Sequence, residues 1–382
     1  MRIEPTSVFT EWSPDATSAP ASAAFTARVE AGFDFRSAEY ARLFEGSGAT
    51  AFQHPLWLDL LYERIAPRVG AEPLPVAVRD EASGRLAAVL PLVRRKHGLL
   101  NVVSFADLGI TDYAGPVCGR AEWDALMACP RVRDAVVRAI KPFDLLRIVK
   151  VREDAPDLRL AFRSASCSVM RTAAHAARLD RPFPEWRAER VNPSLRKELD
   201  QKRRRLSRKG EVRFEALLDP ARIETALSGM LEFRRARFES RAEKDALADP
   251  TVFAFYREVA VAGAASGFAR TYAFSLDGAP VAVVFGIAHR GRFLVLLSAF
   301  DNAFRKSSVG YLLFEDIVAD CIARGDDVFD LTIGNEGYKQ DLGAEATRLL
   351  EIRASGSLLG AAADLCLRQD WVKSFVKRRL AG

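Results

Sequence analysis

Apolar residues recur along this chain with two periods. Alternation marks short strands at Phe25–Val29, Leu74–Arg79, Arg85–Arg95, Leu99–Phe105 and Leu145–Val151. Helical spacing marks Pro55–Ile65 and Glu122–Ile140. A similar order returns further on. A long helix over Pro184–Lys209 leads to a strand at Glu211–Leu217 and helices over about Ala221–Ser240 and Thr251–Ala265. Three strands follow, Ala269–Leu276, Ala279–His289 and Arg292–Ala299, joined by tight turns at Asp277-Gly278 and Arg290-Gly291. A helix over 309–323, strands over 327–333 and 347–354 and a C-terminal helix from about Ser357 complete the pattern. Strand, helices, hairpins, helix, strand occurs twice, which predicts two mixed α/β units.

The stretch from Ser298 to Gly343 carries most of the chemistry. A strand ends in a polar loop, Arg305-Lys306-Ser307-Ser308-Val309-Gly310, that opens an amphipathic helix. Backbone N–H groups and the positive end of a helix dipole at such a turn suit an anion, above all a diphosphate. Alone, the same loop is equally a helix entrance capped by Ser307 or Ser308. One helix later, a strand breaks at a glycine in Phe329-Asp330-Leu331-Thr332-Ile333-Gly334-Asn335-Glu336-Gly337-Tyr338-Lys339. Titratable groups at Glu336, Tyr338 and Lys339 could handle protons or support an oxyanion. Their roles cannot be ranked from sequence.

This arrangement resembles the acyl-CoA site of the GNAT (Gcn5-related N-acetyltransferase) superfamily. There an Arg/Gln-x-x-Gly-x-Gly/Ala loop cradles the CoA diphosphate. Ser308 stands where the first glycine is usual, so the backbone has less freedom for close approach. The closing Gly-x-Glu-x-Tyr-Lys run is similar to the Fem-type branch, and most similar to its CelD-like group of exopolysaccharide and holdfast N-acetyltransferases. The resemblance implies tandem GNAT-like domains, each a mixed, mostly antiparallel sheet flanked by helices. It implies acetyl-CoA as co-substrate, with cofactor contacts at Leu297, Ser298, Ala299, Arg305, Lys306, Ser307, Ser308, Val309 and Gly310. Glu336, Tyr338 and Lys339 become the catalytic candidates. Asp112, Tyr113 and Arg234 become candidates for holding the acceptor.

The expected division is a loose tail over 1–24, a degenerate GNAT-like domain over 25–180, a catalytic domain over 181–356 and a basic amphipathic helix over 357–382. The first half has no equivalent of Arg305–Gly310, so it is expected to wall the acceptor cleft without binding cofactor. Asp112-Tyr113 lies in one of its loops and would face that cleft. Lys339 and Glu336, following a strand, are expected to be partly exposed.

Composition narrows the classes. Hydrophobic residues make up 49%, enough for ordinary cores. Five cysteines without close spacing argue against a disulfide framework or zinc site and favour a reducing compartment. His97, His175 and His289 have no metal-ligand spacing, so no metal is expected. No signal-like start or membrane-length apolar run is present, so the expected location is cytosolic. The net charge of +6 is uneven: residues 190–213 carry ten Lys/Arg against three acidic groups. A second basic cluster over Trp371–Arg379, interleaved with apolar residues, is expected to associate reversibly with anionic membranes.

The sequence therefore points to acetylation of an amino group on a sugar or lipid-linked polysaccharide precursor, without a covalent enzyme intermediate. Two alternatives stand beside it. One is a Fem-type transferase using aminoacyl-tRNA and a peptidoglycan precursor. The other is a non-catalytic GNAT-fold effector that binds an anionic ligand such as a cyclic dinucleotide.

Overall fold

The computed structural model describes residues 24–239 and 245–367. The first unit runs β1 (Phe25–Val29), α1 (Ala38–Gly46), α2 (Pro55–Leu60), α3 (Ala66–Arg68), β2 (Glu72–Asp80), β3 (Leu86–His97), β4 (Leu100–Phe105), α4 (Arg120–Ala128), α5 (Pro130–Ala139) and β5 (Leu145–Arg152). β6 (Ser166–Val169), β7 (Ala174–Arg178), α6 (Phe183–Arg190) and α7 (Pro193–Ser207) follow. The second unit continues with β8 (Val212–Leu217), α8 (Pro220–Phe238), α9 (Pro250–Ala264), β9 (Ala269–Leu276), β10 (Ala279–His289) and β11 (Arg292–Phe300). It ends with α10 (Val309–Arg324), β12 (Val328–Ile333), α11 (Tyr338–Asp341), β13 (Glu345–Thr347) and β14 (Leu349–Ser355). The expected N-terminal tail, apart from Ala24, and the basic cluster at Trp371–Arg379 lie outside the described residues. No helix among the described residues is long and apolar enough to cross a membrane.

Prolines cut two of the expected helices. Pro193 sits at the first position of α7 behind Asn192, whose side chain accepts from Ser194 N–H. That placement starts a new helix, because proline lacks an N–H and Asn satisfies an orphan donor. Pro130 separates α5 from α4 in the same way.

The strands form two seven-stranded sheets, ordered β1-β2-β3-β4-β5-β14-β6 and β8-β9-β10-β11-β12-β7-β13. Position by position the two are equivalent. In each, one pair is parallel (β4 with β5, β11 with β12) and the other pairs are antiparallel. Each also has a helical connection after the first strand and another between the parallel strands. The units exchange a strand: β14, ahead of a described helical stretch over 358–367, completes the first sheet, and β7 completes the second. A linear boundary at 180/181 places both strands in the wrong sheet.

The sheets enclose a shared helical layer. Trp57 of α2 and Phe255 of α9 are fully buried there, ring edge to face at 4.9 Å. Each such side chain contributes roughly 1.5–3 kcal/mol by leaving water. The outer faces are covered by α4 and α5 on one side and by α6, α7 and α10 on the other.

The joint between units contains two histidines. His54 caps α2 by accepting Leu56 N–H at Nδ1 (3.1 Å) and stacks on Phe268 of the second unit at 3.7 Å. Burial, then the neighbouring His289 and Arg36, push its pKa down to about 4. Burial also lowers that of His289. In the unfolded chain a histidine takes a proton near pH 6.5, which the folded joint refuses. Stability should therefore be complete above about pH 6.5 and fall as pH drops towards 4, by on the order of 2 kcal/mol. Urea unfolding of wild type and His54→Asn at pH 7.5 and 5.0 checks this. The variant keeps a capping acceptor and should lose markedly less between the two pH values; equal losses would remove His54 as the cause.

Candidate functional site

The site begins where parallel strands part. β11 and β12 pair only across Arg292–Leu294 and Val328–Asp330. Beyond that, β11 stays with β10 as far as Phe300, while β12 turns away. Thr332 has φ +54, and Gly334 has φ +142. A β-branched residue in the left-handed region is a genuine outlier and costs on the order of 1–3 kcal/mol. In the first unit β4 and β5 part as well, after Val102–Val103 and Leu145–Leu146. There the following loop fills the gap: Ala114 bridges to Val151 and Val117 to Val89. Its backbone is tied by Ala114 N–H to Lys150 O (3.0 Å) and Val117 N–H to Val89 O (2.8 Å). This occupied gap is the physical counterpart of the missing cofactor loop in the first half.

In the second unit a cavity of about 150 Å³ lies between the far end of β11 and α10. Its walls are Ala282 and Val284 of β10, Ser298, Ala299 and Phe300 of β11, Gly310, Tyr311, Leu313 and Phe314 of α10, with Arg237 and Tyr338. Ser298, Ala299, Gly310 and Tyr338 are thus brought together. Leu297 is buried in the central layer, so only its backbone can serve a ligand in the gap. Gly310 leaves room: an added Cβ would lie 3.3 Å from the Phe300 ring.

The expected loop is largely helical. Asn302–Ser307 form a 3₁₀ turn capped by Asp301, with Arg305 and Lys306 exposed. Ser308, at φ +49 and ψ 38, is the left-handed residue between that turn and α10. A left-handed backbone of this kind is one that glycine adopts without steric cost. Its hydroxyl accepts from Lys202 Nζ of α7 at 2.6 Å. The first N–H groups of α10, including those of Val309 and Gly310, have no carbonyl four residues back within the helix.

Glu336, Tyr338 and Lys339 lie on the far side of the gap, but not on a strand end. Gly334 breaks β12 and Tyr338 opens α11. Contrary to the expectation of partial exposure, Lys339 is 2% exposed. Its Nζ donates to Thr332 O at 3.3 Å and sits 3.2 Å from Glu336 Oε2. The Glu336 side chain is 57% exposed, as expected. Both side chains fold over Gly334, where a Cβ would lie 2.2 Å from Glu336 Oε2 and 2.8 Å from Lys339 Nζ. The φ of the turn favours glycine, and its missing Cβ leaves the space that these two side-chain ends occupy. Tyr338 stacks on Phe314, with centroids 5.7 Å apart and rings 3° from parallel. Burial, then the Glu336 charge, push its hydroxyl up to about 12, so it holds its proton at neutral pH.

Asp112 approaches from the first unit. Its carboxylate is 3.9 Å from Lys150 Nζ. The Thr332 hydroxyl lies between it and Val295 O, 3.2 Å away. Burial raises the Asp112 pKa against the pull of Lys150. Tyr113 does not reach an acceptor: it is 1% exposed and donates to Asp330 Oδ1 at 2.8 Å. Arg234 is held by Asp245 through a bidentate pair, with Nη2 to Oδ1 at 2.6 Å.

Sequence reasoning missed Asp330, which is 1% exposed. It also accepts from Arg292 Nη1 (2.8 Å) and from Thr332 N–H (2.8 Å). A lone aspartate in the apolar run Val328–Ile333 was the available signal, since a charge at a core position demands partners. His175 was also missed as a site residue. It is nearly buried on β7, with Nδ1 lacking a hydrogen bond. Burial and then the Lys339 charge hold its pKa down.

Residues 193–340 match the family model described as an acetyltransferase (GNAT) domain. No curated protein matches the chain. Among solved structures, FemX superposes with a TM-score of 0.59 at 11% identity, over 82% of this chain and 94% of that one. The C-terminal domain of a putative lysylphosphatidylglycerol synthetase from Agrobacterium fabrum gives 0.52 at 14%, over 82% and 95%. L-PGS from Bacillus licheniformis gives 0.52 at 14%, over 86% and 94%. At these identities the likeness concerns fold. Residues 193–340 thus match a GNAT acetyltransferase domain model, in a chain whose two equivalent sheets make a tandem GNAT-like fold.

Proposed function

We propose that this protein transfers an acyl group, acetyl in the first instance, from coenzyme A to an amine. The supporting observation is the cavity between the far end of β11 and α10, lined by both Gly310 and Tyr338. The donor's diphosphate would meet the first N–H groups of α10, with Lys202 and Arg305 supplying positive charge. Its pantetheine arm would follow β11 past Ser298 into the gap. The amine nitrogen would attack the thioester carbon as the carbon–sulfur bond breaks. The amine proton passes to a carboxylate, Asp112 or Glu336, and the departing sulfur takes the Tyr338 proton. Lys339, fixed by Thr332 O, would place positive charge near the developing oxyanion.

The acceptor we propose is an amino group on a sugar or lipid-linked polysaccharide precursor of the exopolysaccharide or holdfast type, as the sequence resemblance implies. An aminoacyl-tRNA donor is the second reading, favoured by the basic face of α7 beside Ser308. Calorimetry with acetyl-CoA on wild type and Gly310→Asp tests the first. Wild type should bind and the aspartate should abolish binding, because it fills the gap and repels the diphosphate. Equal affinities, or none in either protein, would overturn the reading.

A further inference from the structure

We infer that Asp330 is a positioning residue for the transfer site, and that through Tyr113 the first unit sets the geometry of the second unit's reactive segment. The consequence for turnover rests on the acyl-transfer reading above; the mechanical coupling does not.

Asp330 is the last residue of β12 to pair with β11, opposite Leu294. Two residues later the backbone enters the left-handed region at Thr332, a conformation that valine-like residues avoid. Something must hold it there. The Thr332 N–H is bonded to Asp330 Oδ1 at 2.8 Å, which closes a tight local loop around the strained residue. The Thr332 carbonyl, turned by that conformation, accepts from Lys339 Nζ. Lys339 in turn gathers Glu336 over Gly334. The placement of the reactive side chains therefore follows from the break, and the break from one carboxylate.

That carboxylate has only two oxygens, and both are engaged from elsewhere. Oδ1 also accepts from Tyr113 OH at 2.8 Å, on the loop that fills the first unit's gap. Oδ2 accepts from Arg292 Nη1 at 2.8 Å. Arg152 of the first sheet lies over the Tyr113 ring at 5.2 Å and within 3.9 Å of Asp330 Oδ2. A buried charge with this many donors has one low-energy orientation. The loop that blocks cofactor entry in the first unit thus carries a second role, as the fixture for its neighbour's strand break.

The test uses Tyr113→Phe in the full chain, which deletes one hydroxyl and keeps the ring. Hydrogen exchange of amides 332–339 should quicken by about tenfold as the Thr332 conformation loosens. The kcat for acetyl transfer should fall by a similar factor with KM for acetyl-CoA unchanged, while the urea midpoint shifts only modestly. Unchanged exchange at 332–339 in a folded variant overturns the coupling, whatever the activity. Faster exchange with unchanged kcat overturns the role in transfer. If wild type fails to bind acetyl-CoA, the acyl-transfer reading falls, and the exchange measurement still decides the coupling by itself.

Discussion

Tyr338→Phe is expected to transfer acetyl groups about 10²–10⁴-fold more slowly than wild type, with little change in unfolding. The hydroxyl lines the gap and has no hydrogen-bond partner among the described residues. The ring packs on Phe314, and phenylalanine keeps that stack. A pKa of about 12 holds the proton through the neutral range, the condition for donating it to a departing thiolate. The measurement is single-turnover transfer to an amine acceptor beside a urea titration. A rate within threefold of wild type would remove Tyr338 from the chemistry and leave it as a wall of the cavity.

Asp330→Ala is expected to give the largest loss of stability, about 3–5 kcal/mol. The carboxylate is fully buried and accepts from Tyr113, Arg292 and Thr332. Truncation leaves those donors unpaired in the joint between units, and the desolvation already incurred is no longer offset. Urea unfolding at pH 7.5 gives the value. A loss below 1 kcal/mol would mean that water replaces the carboxylate and that the node matters little to the fold. Lys339→Ala should show the same mixture on a smaller scale. The sequence suggested a partly exposed residue, whose loss would lower turnover far more than stability. At 2% exposure it leaves a void and an unpaired Thr332 carbonyl, so stability should fall together with rate.

Local chemistry determined the elements. Asp277-Gly278 and Arg290-Gly291 both take positive φ, as tight hairpins require, and the strands they join are where alternation placed them. The polar turn before α10, the break at Gly334 and the repeated order of elements were legible for the same reason. Each depends on residues within one or two turns of chain. The sequence reading ran both helices through Pro130 and Pro193, where the structure cuts them, because periodicity continued across the prolines.

Tertiary structure decided what depended on distant partners. β7 was not read as a strand at all, and β14 was, but nothing in its own pattern says which sheet receives it; pairing between the units settles both. Asp112 and Tyr113 are neighbours in sequence, yet one carboxylate meets Thr332 and Lys150 while the adjacent hydroxyl is buried on Asp330. Lys339 looked like a surface lysine until Gly334 allowed its side chain to fold inward onto Thr332. By itself the sequence determined most of the strands, helices and turns, and the polar turn before α10 with the Glu336–Lys339 cluster one helix away. Which side chains are buried, paired and aimed at the gap was decided only when two sheets closed on a common helical layer, because burial and long-range hydrogen bonds belong to the packed pair.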